Sequence, residues 1–192
     1  PEYIAISKDS KTAWVTLQEN NAVAVVNIPS GRVLRVLPLG LKDWSLGDGF
    51  DASNRDDVIN IQPWPVVGMY QPDAIASFEV GGQTYLVTAN EGDARDYDGF
   101  SEEERVADLI LDPMAYPNAF ELQDDAKLGR LNATTASGDT DGDGDIDLIH
   151  AYGARSFSIW KAGRRFTKLE QVYDSGSQFE QITASRLPSE FN

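Results

Sequence analysis

The 192-residue sequence contains no cysteine and a single histidine, His150. These two scarcities exclude thiol catalysis, a disulfide scaffold and the usual zinc sites built from cysteine and histidine. Basic residues are also few: 16 Lys and Arg stand against 31 Asp and Glu, and the formal net charge is −15. Nucleic acids and anionic membrane surfaces both attract basic proteins, so this composition argues against either as a partner.

Long apolar runs are absent as well. No run approaches the roughly 18 residues that a membrane-spanning helix requires. Hydrophobic residues nevertheless make up 41% of the chain and aromatic residues 10%, which is enough for a packed core. The chain is therefore expected to be folded and is not a disordered acidic tail.

An internal repeat indicates the architecture. Residues 1–19 resemble residues 72–91. Proline, isoleucine and alanine recur at matching positions, and threonine, valine and glutamate then recur after a gap of one residue. Residues 23–40 resemble residues 157–176, each with two β-rich runs around a turn that contains glycine. The two halves are adjacent in the first copy and separated by a long insertion in the second.

A four-stranded antiparallel unit repeated in series is typical of a β-propeller blade. A β-sandwich with coincidental similarity between its halves is the alternative. We predict an all-β fold of propeller blades, with too few blades to close a ring, and hence a part of one propeller domain in a longer chain. The predicted parts are a blade-like unit at 1–40, a connection at 41–70, a second blade-like unit at 71–176 with an acidic insertion at 91–147, and the start of a next segment at 177–192.

The insertion at 91–147 carries most of the charge. It contains 17 acidic and 4 basic residues, a net charge of −13. Ser101 and Glu104 fit a helix capping box, so we predict a short helix over residues 101–111 that ends before a proline. Residues 114–131 are predicted to form a loop.

Residues 41–70 have the composition of a long polar connection, with five aspartates before two prolines. The chain has four tryptophans, which we expect to fill the space between blades: Trp14, Trp44, Trp64 and Trp160.

The strongest chemical motif is Asp-Thr-Asp-Gly-Asp-Gly-Asp-Ile-Asp, over residues 139–147. It places carboxylates at positions 1, 3, 5 and 9 of a calcium loop and glycine at position 6, where the chain turns sharply. Calcium binds six to eight oxygen atoms, and alternate residues of a tight loop supply them. We predict one Ca²⁺ held by the side chains of Asp139, Asp141, Asp143 and Asp147 and by the main-chain carbonyl of Asp145.

The loop differs from an EF-hand. Position 12 is His150 instead of glutamate, and residues 148–152 have the pattern of a strand instead of a helix. The loop resembles those of FG-GAP-type propellers and thrombospondin-type repeats, which lead into a strand. A solvated turn without metal is the alternative, but five aspartates in nine residues repel one another unless a cation neutralises them. We expect a structural ion and a packed, hydrogen-bonded His150.

A second polar segment, Asn90–Asp96, directly follows a predicted blade strand. Glu91 and Asp93 are candidates for metal or acid–base groups, and Arg95 beside Asp96 is a candidate anion clamp. The alternative is a strand exit held by salt bridges. No catalytic set follows from these residues alone.

Several phrases resemble the bacterial choice-of-anchor I proteins, relatives of the mesenchyme-specific cell surface glycoproteins. They include PEYIAISKDSKTAWVTLQENNAVAVVNI, YLVTANEGDARDY, DTDGDGDID and YGARSFSIW. The resemblance extends over essentially the whole chain. Some members are labelled alkaline phosphatases, and the fold is similar to that of phytase-like propellers. The resemblance implies calcium and an extracellular, cell-surface or periplasmic location, and it supplies no catalytic residues.

Two functions remain open. The first is a secreted or cell-surface calcium-binding propeller with an interaction or matrix role. The alternative is a calcium-dependent phosphoesterase acting on phosphate esters, for which clustered carboxylates and a cation suffice. One histidine is too few for the zinc chemistry of ordinary alkaline phosphatases.

Overall fold

The computed structural model describes residues 1–163 and 166–186, which fall into two compact units. The first unit comprises Pro1–Leu41, Met69–Asp93 and Gly153–Gly176, and the second comprises Lys42–Gly68, Ala94–Tyr152 and the described residues from Ser177 onwards.

Strands dominate both units. In chain order they are β1 (Ile4–Ile6), β2 (Thr12–Leu17), β3 (Ala22–Asn27), β4 (Arg32–Pro38), β5 (Leu41–Asp43), β6 (Phe50–Asp51), β7 (Ile61–Gln62), β8 (Val67–Met69), β9 (Pro72–Val80), β10 (Gln83–Asn90), β11 (Asp96–Tyr97), β12 (Phe100–Ser101), β13 (Glu103–Arg105), β14 (Asn132–Thr134), β15 (His150–Ala151), β16 (Ser156–Ala162) and β17 (Leu169–Asp174).

Two four-stranded antiparallel sheets form the first unit. One has the order β1-β2-β3-β4 and the other the order β9-β10-β16-β17. The two strands that carry the repeat, β2 and β10, hold the same second place in their sheets. The insertion leaves the second sheet between β10 and β16, which pair directly from Tyr85–Lys161 to Asn90–Ser156. The predicted all-β fold of propeller-like blades is confirmed.

Local chemistry explains the turns of these sheets. The Asp9 carboxylate accepts hydrogen bonds from the Ser7 hydroxyl and the Lys11 N–H, and it thereby shapes the turn between β1 and β2. Gly81 and Gly82 join β9 to β10 with φ of +58° and +76°. Successive positive φ values are the conformation that a two-residue hairpin turn requires.

Alternating side chains of both sheets make one core. The largest fully buried members are Trp14, Val23, Val25 and Leu86. Trp160 packs edge-on against Tyr70, with ring centroids 5.3 Å apart. Burial of these side chains on one face of each strand fixes the strand register, because a slip of one residue would expose them.

A series of hydrogen bonds links five buried side chains of the second sheet. The Trp160 indole donates to the Thr88 hydroxyl, which donates to the Asn90 side chain. The Asn90 amide in turn donates to the hydroxyls of Ser156 and Ser158. These five side chains are buried, and their mutual bonds offset the cost of removing them from water.

The second unit has a five-stranded sheet of order β13-β14-β15-β8-β5, together with the hairpins β6–β7 and β11–β12. Strands β8 and β15 are parallel, and Val67 lies opposite His150. The helices are α1 (Ala119–Leu122) and α2 (Gln178–Arg186), and a 3₁₀ turn covers Val106–Asp108. Its core draws on distant parts of the chain: Trp44, Phe50, Trp64, Val66, Val106, Leu111, Leu128 and Ile149 are among the buried members.

Residues 41–70 are not the purely polar connection that we expected. They contain β5 to β8, and Trp44 packs against Phe50 with ring centroids 4.8 Å apart. Trp64 donates its indole N–H to the Phe50 carbonyl at 2.9 Å. The prediction that all four tryptophans fill the space between blades is therefore wrong for Trp44 and Trp64, which lie in the core of the second unit.

The helix predicted over residues 101–111 is also wrong. Residues 103–105 form β13, which pairs with β14, and only the single 3₁₀ turn follows. The Ser101 hydroxyl accepts the N–H of Glu103, two residues on, and does not cap a helix. Sheet pairing and the burial of Glu102 outweigh the local capping pattern. The insertion's α-helix instead lies at Ala119–Leu122, within the predicted loop.

Candidate metal centre

The aspartate-rich loop over residues 139–147 lies between β14 and β15 in the second unit. Its ends meet at Gly138, whose carbonyl accepts the main-chain N–H groups of Asp147 and Leu148 at 2.9 and 3.1 Å. Gly138 has a φ of +114°, and a Cβ atom there would lie 2.5 Å from the Leu148 carbonyl oxygen. Only glycine fits where the loop closes.

Three carboxylates of the loop come together. Oxygen atoms of Asp139, Asp141 and Asp147 lie within 4.8 Å of one another. Each calcium–oxygen bond is about 2.3–2.6 Å long, so ligands on opposite sides of one ion are about 5 Å apart. The spacing of these three side chains fits one cation, and they are three of the four side-chain ligands that the sequence predicts.

Backbone hydrogen bonds fold the loop around Asp139. Its two carboxylate oxygens accept the N–H groups of Gly142 at 2.6 Å and Gly144 at 3.1 Å. Asp147 accepts both the N–H and the hydroxyl of Thr140 at 2.7 Å. The two ends of the motif are thus held by the residues between them.

A second group of carboxylates shares Asp147. Asp112, Asp145 and Asp147 also bring oxygen atoms within 4.8 Å of one another. Asp112 was not among the predicted ligands, because Asp112-Pro113 was interpreted as the end of a helix. The predicted role of Asp145 was limited to its main-chain carbonyl, whereas its side chain belongs to this second group.

Main-chain pairing brings Asp112 to the loop. Leu111 and Ile146 form a parallel bridge, in which the Ile146 N–H donates to the Ile110 carbonyl and the Asp112 N–H donates to the Ile146 carbonyl. The bridge places Asp112 beside Asp145 and Asp147. Such a contact between distant segments leaves no local signal in the sequence.

Burial, neighbouring charges and hydrogen bonds shift the pKa values of three of these carboxyl groups. Burial and then the charges of Asp143 and Asp112 raise the pKa of Asp145 to about 6. The charge of Asp143 raises the pKa of Asp141, while hydrogen bonds from Thr140 lower the pKa of Asp147. The Oδ1 atom of Asp145 is buried and has no hydrogen-bond partner among the described residues. An oxygen-only donor set with an unsatisfied buried oxygen fits a hard cation such as calcium.

Two residues of the predicted loop take other roles. The Asp143 carboxylate accepts the N–H of Asp145 at 3.3 Å and belongs to neither carboxylate group. His150 is half-buried with Nδ1 2.9 Å from the Leu148 carbonyl, and burial lowers its pKa. His150 thus has the packed, hydrogen-bonded surroundings expected for it.

Arg95, the candidate anion clamp, is bound within the second unit. Its main-chain N–H, Nε and Nη2 all donate to the Glu102 carboxylate, at 3.0, 3.1 and 2.5 Å. The Glu102 side chain is only 3% exposed and also accepts the Thr134 hydroxyl. This geometry corresponds to the salt-bridged strand exit that was the alternative interpretation of the segment.

The other catalytic candidates belong to different units. Glu91 and Asp93 are exposed at the end of the first unit's second sheet, where the Asp93 carbonyl accepts the Gln71 amide. Asp96 is exposed in the β11–β12 hairpin of the second unit, opposite Ser101. Their catalytic role stays a prediction.

Comparison with known proteins places the chain in a family. The profile of the choice-of-anchor I domain matches residues 1–192. The chain belongs to the choice-of-anchor I family. Gigasin-3a of Magallana gigas is similar to it, with 38% identity over 71 residues, which are 37% of this chain and 23% of that protein. The match thus spans about a quarter of the relative's length, and no solved structure matches.

Membership of the choice-of-anchor I family and the likeness to Gigasin-3a suggest a cell-surface or secreted protein of the β-propeller type. Within the described residues, no helix of this choice-of-anchor I chain is long and apolar enough to cross a membrane.

Proposed function

We propose that this choice-of-anchor I chain is a calcium-binding propeller protein with an interaction or matrix role outside the cell. The observation that carries the proposal is the pair of carboxylate groups around the 139–147 loop, joined through Asp147. Both groups consist of carboxylates, which are among the ligands that calcium prefers. Calcium here would hold the fold of the insertion.

Asp139, Asp141 and Asp147 would supply the first side-chain ligands. The Asp143 carboxylate and the Asp145 main-chain carbonyl complete the predicted set. The carboxylates of Asp112 and Asp145, which belong to the second group, would be additional ligands. The insertion has a net charge of −13, so a divalent cation would relieve repulsion within it. Both the charge and the spacing support a structural ion.

Terbium luminescence and calcium titration calorimetry on the purified chain test this proposal. We expect Asp141→Asn to weaken calcium binding roughly tenfold or more, because the charge and number of ligands set the affinity of such loops. Asp98→Asn is the matched control, since Asp98 is an exposed aspartate of the same insertion outside both carboxylate groups. Equal affinities for Asp141→Asn and the unaltered chain would refute the proposal.

Asp112 separates the two carboxylate groups experimentally. Asp112→Asn should weaken calcium binding if the second group takes part, and should leave it unchanged if only the first group does. Asp147→Asn should have the larger effect, because Asp147 belongs to both groups.

The phosphoesterase alternative has less support from the described residues. Arg95, its candidate for binding a phosphate, is already bound to Glu102 through three donors. Phosphomonoesterase and phosphodiesterase assays with and without calcium decide between the two functions. Turnover of a phosphate ester that requires calcium and is lost in Asp141→Asn would favour the phosphoesterase function. We expect no turnover in either assay.

A further inference from the structure

The segment over residues 108–125 of the second unit exposes three large apolar side chains. Ile110, Met114 and Phe120 are 71%, 88% and 93% exposed. A single exposed apolar side chain is ordinary in a folded protein. Three such side chains on one segment, one of them a nearly fully exposed phenylalanine, indicate an interaction surface.

The local structure explains why these side chains point outward. Ile110 lies between the buried Leu109 and Leu111 in extended chain, so it faces the opposite way. In α1, Ala119 and Leu122 pack on the core three residues apart, which leaves Phe120 on the solvent side.

Met114 projects from a turn in which the Asp112 carboxylate accepts the N–H groups of residues 114 and 115. The next residue, Tyr116, turns back into the same core cluster as Leu109, Leu111 and Leu122. Ile110, Met114 and Phe120 therefore all face away from the core that the inward side chains of this segment share.

The charge of this segment is uniform. Residues 108–125 contain five acidic residues and no lysine or arginine. Asp108, Glu121, Asp124 and Asp125 are exposed in the same segment, and Glu121 lies 3.6 Å from Lys127, just beyond it. The partner of such a surface must carry positive charge as well as apolar groups, because like charges facing each other across an interface are costly.

We propose that the 108–125 surface binds a basic protein segment that carries apolar side chains. This gives a partner class to the interaction role proposed above, and it does not require calcium. Charge disfavours the other occupants: a second copy would bring another −15, and an anionic membrane would repel the acidic rim. Phe120 and Met114 act as apolar anchors, of the residue types enriched at the centres of protein interfaces.

The test measures binding of a labelled synthetic peptide of leucine and lysine in an amphipathic pattern, by fluorescence anisotropy at low and high salt. We expect saturable binding that weakens with salt, and none by the counterpart peptide with glutamate for lysine. Phe120→Ser and Met114→Ser should each weaken binding roughly tenfold, the usual scale for removing a central interface anchor.

Val33→Ser is the matched control. Val33 is 61% exposed on β4 in the other unit and follows Arg32, so its substitution should leave peptide affinity unchanged. Neither Phe120→Ser nor Val33→Ser alters the net charge. Equal affinities for Phe120→Ser, Val33→Ser and the unaltered chain would mean that the peptide binds only by non-specific attraction of a polycation, and would overturn the proposal. A lack of peptide binding at low salt would overturn it as well.

Two further measurements separate the alternatives. Sedimentation that reveals a dimer lost in Phe120→Ser, or flotation with phosphatidylcholine vesicles lost in the same variant, would assign the surface to another occupant and overturn the proposal. Terbium binding is measured on the same samples. Peptide binding that fails while terbium binds refutes only this inference, and terbium binding that fails while the peptide binds refutes only the calcium site.

Discussion

Replacing Glu102 by glutamine should substantially destabilise the second unit. The Glu102 side chain is 3% exposed and accepts three hydrogen bonds from Arg95, whose side chain is 38% exposed. Removing one partner of a fully buried ion pair costs about 3–5 kcal/mol. Water can resolvate the partly exposed arginine, so we expect a smaller loss of about 2 kcal/mol in the free energy of unfolding.

Thermal unfolding followed by circular dichroism measures this loss. For a chain of this size, about 2 kcal/mol lowers Tm by roughly 4–8 °C. Glu104→Gln is the matched control, because Glu104 is an exposed glutamate two residues away, and its Tm should change little. Equal Tm values for the two variants would refute the argument that the Arg95–Glu102 pair stabilises the insertion.

The same pair predicts a pH dependence. Burial alone would raise the pKa of Glu102, but the hydrogen bonds and charge of Arg95 outweigh it and lower the pKa below the ordinary value of 4.5. A carboxyl whose pKa is lowered by folding stabilises the fold above its unfolded pKa, and this stabilisation is lost as the pH falls through the folded pKa. The Tm difference between the unaltered chain and Glu102→Gln should therefore be constant above about pH 5 and shrink below pH 4.5.

Three further predictions concern other parts of the chain. Chelating calcium should lower Tm and speed proteolysis within residues 96–139, since a ligand at a hundredfold excess over Kd contributes about 2.7 kcal/mol; equally slow cleavage with and without chelator would contradict this. Gly153→Ala should cost about 3 kcal/mol or more, because φ is +73° and the new Cβ would lie 1.8 Å from the Glu91 carbonyl oxygen. Gly81→Ala, which has a positive φ but open space, should cost only about 1–2 kcal/mol, and equal denaturation midpoints would refute the steric argument. Leu128→Ala should cost about 2–5 kcal/mol through the cavity left in the second unit's core, and a loss below 1 kcal/mol in urea unfolding would contradict that packing.

The blade strands could be predicted because their signals are local and repeated. The carboxylate of Asp9 and the glycine pair at Gly81 shape turns between strands whose side chains alternate. The repeat presents the same strand pattern twice. Residues of the second copy that have no counterpart in the first copy can therefore be recognised as the insertion. Pairing of β10 with β16 follows once the insertion is removed.

The carboxylate groups of the aspartate-rich loop could be predicted in part for the same reason. Its aspartates and glycines are close along the chain, and three predicted side chains do come together. Asp112 could not be predicted, because only the bridge between Leu111 and Ile146 brings it to the loop.

The sequence by itself determined the all-β class, the blade strands and the aspartate-rich loop, since each depends on residues that are neighbours or near neighbours. Only the tertiary structure decided the secondary structure of residues 101–111. There the Arg95–Glu102 pair and the pairing of β13 with β14 outweigh a local helix-capping pattern. It also decided the core of the second unit, in which Trp44, Trp64 and Leu128 meet from segments far apart in the chain. Such contacts form between apolar and charged groups that only the folded chain brings together. The spacing of residues along the sequence therefore does not predict them.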